Sequence, residues 1–349
     1  MNGTATLSTG FLRLRAGFWR FVAAPASPKP LAVLRVGVCA VLILQALSLA
    51  GSVRELYGPL GVVQWSVLED ALAPGVPRLS WVTAALTLWD VGPESAIHAV
   101  FLVYVAGLSF LLLGWHTRAA AIVTFLTHLL LKNGALASVY GVDTFAQIML
   151  FYFVWMPVGD AYSLDRLWGR TTGTPAPAHR LSLRVVQLQL CIVYFATGIE
   201  KALGIDWWNG MAIWSSVMRS DLCPFDMAWL AGVPWVAMLL GWGTLLLEVG
   251  YPIFMWPRWT RPVWGWGIIS LHAGIAVFLG LYSFAAIMGV FTFAAFLVPA
   301  EPRSAAGEEQ KTSAAAGWPG QSGAMPRREA ARVSLRSIPA TPSASCPRH

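Results

Sequence analysis

Long apolar stretches constrain this chain most, because about 20 such residues are enough to cross the ~30 Å hydrocarbon core of a bilayer. Eight stretches reach or approach that length, over residues 31–50, 95–114, 117–131, 142–158, 184–203, 228–256, 262–280 and 283–299. Only 12% of the residues are charged, whereas a soluble domain carries about 25%. The sequence therefore predicts an all-α, polytopic membrane helix bundle with about eight transmembrane helices.

Two of these stretches need comment. The first, residues 31–50, has small residues near its end, as a signal peptide does, but its apolar part is longer than the usual 7–15 residues. An uncleaved span is therefore the favoured interpretation. The sixth, residues 228–256, is long and contains Pro252. Since proline cannot donate the backbone hydrogen bond, we expect a kink or a break there.

The basic residues of the loops predict the orientation of the bundle. Residues 1–30 contain Arg and Lys but no acidic residue, and the 159–184 loop and the chain after residue 300 are also basic. The 51–94 loop has more acidic than basic residues, and Lys132 is an exception on that side. Because cytoplasmic loops carry the excess of Lys and Arg, we expect a plasma-membrane protein with cytoplasmic N- and C-termini.

The two ends of the chain differ from the predicted bundle, residues 31–299. In residues 1–30, apolar side chains such as Phe18 and Phe21 alternate with Arg13, Arg15 and Arg20. This pattern is typical of an amphipathic helix on the cytoplasmic membrane surface. Residues 300–349 are rich in Ala, Ser, Pro, Gly and charge. Such a composition buries too little apolar surface to fold, so we expect a disordered cytoplasmic tail.

The pattern of charged and metal-binding residues predicts neither a nucleic-acid partner nor a metal site. The net charge of +7 comes from scattered cations and not from a basic stripe with interleaved aromatic residues, so the sequence predicts no nucleic-acid binding. The histidines are isolated, and neither CxxC nor HExxH occurs, so no metal site is predicted. The predicted partner is the lipid bilayer.

The fifth span carries a polar face. Gln187, Cys191, Tyr194, Gly198 and Lys201 follow one another at spacings of three and four residues, which places them on one side of a helix. Lys201, at the outer end, has two interpretations. It either extends to the lipid headgroups, or it turns into a dry cavity, where a neutral amine is a general base. The residues alone leave both open.

Other polar residues within the spans are functional candidates, because a polar group in hydrocarbon is costly without a partner. His272, near the middle of the seventh span, is either a packing hydrogen-bond donor or a functional group. Asp143, at the start of the fourth span, either caps the helix or takes part in a proton relay or a cation pair. Trp207 belongs either to a cavity rim or to an interfacial aromatic belt. Glu248 is expected to be protonated if it has no partner.

The fifth span and the segment after it also carry a motif. Gln187 is followed by Tyr194-Phe195, Gly198 and Lys201, and then by Trp207 and Gly210. This resembles the pattern of the horizontally transferred transmembrane (HTTM) family, which is related to vitamin K-dependent gamma-glutamyl carboxylase. Weaker matches in the same order extend the resemblance over roughly residues 20–299.

The resemblance implies a chemistry. In the carboxylase, a lysine at the position matching Lys201 deprotonates vitamin K hydroquinone, so Lys201 is the implied base, with His272 and Asp143 as supporting groups. Tyr194, Gln187 and Trp207 are the implied cofactor-binding residues, and the implied cofactor is a quinone or hydroquinone. The histidine that carboxylases carry ahead of the fourth span has no counterpart in residues 133–140.

Two functions of different classes follow. One is a carboxylase-like enzyme that uses a lysine base on a quinol or another lipid-phase substrate. The other is a non-enzymatic membrane factor that binds a partner or a small molecule, for example in the maturation of a secreted peptide or in immunity. A transporter is less favoured, because the charges within the spans are few and no carboxylate pair is evident.

Overall fold

The computed structural model describes residues 3–301, and most of them are helical. No β-strand occurs in that range, and the backbones of Ala26 and Ala176 form an isolated antiparallel bridge. The predicted disordered tail lies outside the described residues except for its first two. The all-α class is confirmed.

Helices of eleven residues or more make up the body of the described chain. They are α1 (Gly3–Ala23), α2 (Lys29–Leu49), α6 (Pro93–Leu113), α7 (Thr117–Gly134), α8 (Gly141–Trp155), α10 (Pro177–Leu203), α13 (Pro234–Phe254), α14 (Arg261–Leu279) and α15 (Tyr282–Thr292). A π-helical turn, Phe293–Leu297, extends α15. Shorter helices lie in the connections. They are α3 (Val53–Tyr57), α4 (Trp65–Ala71), α5 (Leu79–Thr87), α9 (Leu164–Leu167), α11 (Ile205–Trp208) and α12 (Met211–Val217).

The described helices support a membrane bundle. Five segments are long and apolar enough to cross a bilayer, namely Lys29–Tyr57, Pro93–Leu113, Pro177–Leu203, Pro234–Phe254 and Arg261–Leu279. Gly141–Trp155 and Tyr282–Leu297 are apolar but shorter. The third predicted span corresponds to α7, which is 18 residues long and includes threonine, histidine, arginine and lysine. The count of eight spans therefore stays a prediction.

Proline and glycine mark the helix ends. A proline at the first or second position begins α2, α6, α10, α13 and α14, where its fixed φ suits a helix and its missing N–H is not needed. Gly114 ends α6 at φ +67°, a conformation that favours glycine. The predicted sixth span is divided differently from our expectation. A separate 3₁₀ turn, Ala228–Gly232, precedes α13, and α13 continues through Pro252 before ending at Phe254.

The core forms around α2. Leu31, Leu34, Val38 and Leu42 on this helix are almost completely buried, and α2 packs against α6 and α15. The helix pairs α6–α7, α7–α8 and α14–α15 also pack closely. The helix α10 packs along α13. This last pair positions the polar face that the sequence singled out.

Candidate functional site

An ion pair joins Lys201 on α10 to Glu248 on α13. The Lys201 Nζ donates a hydrogen bond of 2.8 Å to the Glu248 Oε2. The Thr197 hydroxyl lies 3.1 Å from the same oxygen, and this oxygen shares the single hydroxyl hydrogen with the Val193 carbonyl oxygen at 3.0 Å. The Glu248 side chain is 7% exposed and the Lys201 side chain 26%. The amine therefore points across to the neighbouring helix, and Glu248 is not the unpaired carboxylate that we had considered.

The two helices meet closely because Gly198 lies at their contact. A Cβ atom on Gly198 would lie 2.9 Å from the backbone nitrogen of Val249 and 3.0 Å from the Cβ of Glu248. Real Cβ atoms rarely approach other atoms so closely, and small residues are what allow spanning helices to pack backbone to backbone. Gly198 thus sets the distance over which Lys201 reaches Glu248.

Trp207 connects this pair to a groove. The Lys201 Nζ lies 5.5 Å from the centroid of the Trp207 ring, within the range of a cation–π contact. Trp207 also lines a groove of about 450 Å³ formed by residues of α12, α13 and α14. Its walls are mostly apolar, with Ser216, Thr244 and Ser270 as polar exceptions. Small-molecule sites usually have volumes of about 300–1,000 Å³, so the groove is large enough for a ligand.

An aromatic cluster lies further along the same face of α10. Tyr194 stacks on Tyr251 with ring centroids 4.3 Å apart, and His272 meets the edge of Tyr194 at 5.9 Å. Because the Ile268 carbonyl oxygen only accepts, the His272 Nδ1 donates to it at 2.9 Å. Tyr194 lies on the same face of α10 as Lys201, about two helical turns before it. The predicted residues Lys201, Trp207, Tyr194 and His272 therefore belong to one region.

Gln187 and Asp143 have their partners elsewhere. The Gln187 Nε2 donates to the Ala295 carbonyl oxygen at 2.6 Å, and its Oε1 accepts from Arg184 at 2.7 Å. Asp143 accepts hydrogen bonds from the Gln45 amide and from the backbone N–H of Tyr140. It thus caps α8, which was one of the two interpretations of this residue.

The comparison with protein families decides the affiliation. Residues 81–297, more than half of the chain, match the family model described as the HTTM domain. The chain belongs to the HTTM family. The resemblance found in the sequence is therefore confirmed, and the matched range contains the whole Lys201–Glu248 pair. No curated protein and no solved structure matches this HTTM protein.

Within residues 3–301 of the HTTM protein, no three His, Cys, Asp or Glu side chains are grouped as a metal site would require.

Sequence reasoning missed the partner of the HTTM lysine. The acidic residue next to Lys201 in the sequence is Glu200, which is exposed, whereas Glu248 lies 47 residues away. One signal was present in the sequence. Two opposite charges stand in two apolar helices, and each is costly in hydrocarbon unless it is paired. The sequence does not say which helices are neighbours.

Proposed function

We propose that this HTTM protein is a membrane enzyme that removes a proton from an acidic hydroxyl of a lipid-phase substrate of the hydroquinone type. In this proposal Lys201 relays the proton, and the Glu248 carboxylate is its final acceptor. The observation that carries it is the 2.8 Å hydrogen bond from the Lys201 Nζ to the buried Glu248. A lysine that served only to hold the helix at the headgroups would need no buried carboxylate.

The pair supplies a place for the proton. The O–H bond of the substrate breaks and its proton goes to the Lys201 nitrogen, while a proton of the Lys201 ammonium passes along the hydrogen bond to the Glu248 Oε2. The substrate leaves this step as an anion and the pair carries one more proton. The Thr197 hydroxyl lies beside the same carboxylate oxygen and offers it a second hydrogen-bond contact. A positioned base of this kind contributes about 10²–10⁴-fold to a rate.

The surroundings of the pair support an apolar substrate. The groove lined by Trp207 is mostly apolar, so the substrate's hydrocarbon part fits there, next to the ring that contacts Lys201. Tyr194 and His272 form the packed aromatic wall beyond the pair. Gln187 and Asp143 hold α10 and α8 in place through their own hydrogen bonds and take no part in the proton transfer as proposed.

The proposed setting is the plasma membrane, with both termini in the cytoplasm and Lys201 near the outer surface. A secreted peptide is a partner consistent with that orientation. The groove supports a second candidate function, a non-enzymatic factor that binds a small molecule, since an apolar site of about 450 Å³ serves binding without any base.

Turnover distinguishes the two candidates. The full chain in nanodiscs is given 2-methyl-1,4-naphthohydroquinone and dissolved oxygen, and loss of the hydroquinone is followed by absorbance. Because the hydroquinone anion is oxidised by oxygen faster than the neutral form, we expect the wild type to exceed empty nanodiscs. Lys201→Ala should reduce the excess by about 10²-fold or more, as expected for loss of a general base.

Lys29→Ala is the matched control, because Lys29 is exposed at the start of α2, and it should keep the wild-type rate. Equal rates for the wild type and Lys201→Ala would overturn the enzyme proposal. Saturable binding of the hydroquinone without any excess rate would favour the non-enzymatic factor instead.

A further inference from the structure

A second cavity lies at the end of the bundle where α2 and α7 end and α8 and α15 begin. Its volume is about 160 Å³, and its walls come from α2, α6, α7, α8 and the first turn of α15. Polar side chains line it, including Gln45, Tyr104, His128, Lys132 and Asp143. The candidate site described above uses none of these side chains in its proton transfer.

Hydrogen-bond directions show what part of this wall offers to a ligand. His128 is buried, and its Nε2 lies 3.2 Å from the backbone oxygen of Asp143. A carbonyl oxygen only accepts, so Nε2 carries the hydrogen. In the neutral ring the Nδ1 then accepts from the Tyr104 hydroxyl, at 3.1 Å. With its hydrogen committed to His128, the Tyr104 oxygen has only acceptor capacity left.

Asp143 adds further acceptors to the same wall. One carboxylate oxygen accepts from the Gln45 Nε2 at 3.0 Å and the other from the Tyr140 amide at 3.1 Å. An ionised carboxylate accepts about four hydrogen bonds, so two positions remain for a ligand. A group with several N–H donors and a positive charge satisfies both Asp143 and Tyr104, and a primary ammonium is the smallest such group.

Lys132 restricts the ligand further. It lines the same cavity as Asp143, so this cavity has one positive and one negative side chain on its wall. A ligand that carried only positive charge would be repelled by Lys132. A ligand with a carboxylate beside its ammonium instead pairs with both Lys132 and Asp143. Opposite charges in a partly buried site attract more strongly than in water.

The size of the cavity sets the size of the ligand. A cavity needs about 10–15 Å³ of space for the centre of a water-sized sphere to hold one such group. By the same measure this cavity has about 160 Å³, so it accommodates on the order of ten heavy atoms. That is below the ~300 Å³ at which sites for drug-sized ligands begin. The aromatic residues Tyr57, Phe101 and Tyr104 line the cavity. An ammonium next to an aromatic ring gains a cation–π attraction.

We propose that this cavity binds a small zwitterion of the α-amino-acid type, with its ammonium on Asp143 and Tyr104 and its carboxylate on Lys132. The proposal does not depend on the activity of Lys201. It makes the HTTM bundle a two-site protein, with an apolar groove at one place and a polar pocket for a water-soluble ligand at another.

Calorimetric titration of the full chain in phosphatidylcholine nanodiscs tests this. Glycine carries both charges, whereas ethylammonium and acetate each carry one. At constant ionic strength we expect glycine to bind at least about tenfold more tightly than either, since each single-charge ligand lacks one set of charge-assisted hydrogen bonds. Asp143→Asn and Lys132→Gln should each weaken glycine binding about tenfold or more.

Asp70→Asn and Lys29→Gln are matched controls at exposed positions outside the cavity, and neither should change glycine binding. If Asp143→Asn fails to fold, Lys132→Gln and Tyr104→Phe test the proposal instead. Tyr104→Phe should weaken glycine binding less than Lys132→Gln does. Ethylammonium binding as tight as glycine binding, unchanged affinity in Lys132→Gln, or no binding of glycine at 100 mM in any buffer would each overturn the proposal.

Discussion

At the scale of single residues, the Lys201–Glu248 pair is the most consequential arrangement. Glu248 is buried and Lys201 is only partly exposed, so each charge depends on the other to offset its lost hydration. Removing one partner of a buried pair costs about 3–5 kcal/mol, whereas replacing both by apolar residues of similar size is often neutral or stabilising. Because the Lys201 side chain is 26% exposed, both energies are smaller than for a fully buried pair. Loss of one partner still costs more than replacement of both.

We therefore predict that stability and activity separate in variants of this pair. Glu248→Gln should lower the thermal unfolding temperature and abolish hydroquinone turnover, because Lys201 loses both its partner and its proton acceptor. The double variant Lys201→Met, Glu248→Leu should regain the wild-type unfolding temperature and stay inactive. Thermal unfolding in detergent and the hydroquinone assay measure the two properties.

Glu200→Gln is the control for this series. Glu200 is adjacent to Lys201 in sequence but exposed, so both properties should stay at wild-type values. An active double variant would show that the pair only holds α10 against α13.

At the scale of elements, Asp165 ties the start of α7 to the loop between α8 and α10. Its carboxylate accepts from the backbone N–H groups of His116 and Thr117, from the Thr117 hydroxyl at 2.7 Å and from Arg170 at 3.0 Å. Burial by itself would raise the pKa of Asp165, but these hydrogen bonds together outweigh it and lower the pKa to about 2. Nearby, the buried Arg35 donates to the carbonyl oxygens of Val158 and Tyr162 and holds the same loop.

This pKa predicts how stability depends on acidity. The folded carboxyl, with its pKa of about 2, titrates below the ~3.9 of an unfolded chain, so its contribution is complete above about pH 5 and is lost progressively as the pH falls through 2. We expect Asp165→Asn to lose about 2–3 kcal/mol at pH 7. Its unfolding temperature should then change less than that of the wild type between pH 4 and pH 2.

Scanning calorimetry at several pH values in detergent measures this difference. Asp70→Asn, at an exposed position, should follow the wild-type curve. If Asp165→Asn and the wild type lost stability in parallel between pH 4 and pH 2, Asp165 would not be the group responsible.

For the whole molecule, the property to be tested is the number of helices that cross the bilayer. Five segments are long and apolar enough, and α7, α8 and α15 complete the eight that the sequence predicts. The basic loops favour cytoplasmic termini, which requires an even number of spans. Under that topology the 51–94 loop is outside and the 159–176 loop is inside.

Cysteine labelling in intact cells tests this topology. In a background without native cysteines, Ala73→Cys and Thr172→Cys place single thiols at exposed positions of the two loops. We expect a membrane-impermeant maleimide to label Ala73→Cys in intact cells and Thr172→Cys only after permeabilisation. The reverse pattern would invert the orientation, and labelling of both in intact cells would contradict the predicted number of crossings between the loops.

Local patterns in the sequence were enough to predict the helical class, the family and the polar face of α10. Apolar length and the 3.6-residue period are local properties, so they predicted the helices and aligned Gln187, Tyr194 and Lys201 before any packing was known. Lys201 was identified for the same reason, because an ionisable group in an apolar helix is costly wherever that helix lies.

Which helices are neighbours depends on tertiary packing. Water drives apolar helices into the bilayer but does not drive one helix against another, because lipid tails are as apolar as side chains, and packing then depends on close local fits. The fit of Gly198 against Val249 brings Glu248 to Lys201. Packing likewise places Asp143 beside Gln45 and Gln187 beside Ala295. None of these three pairings follows from hydropathy or periodicity, since neither contains information about contacts between distant segments.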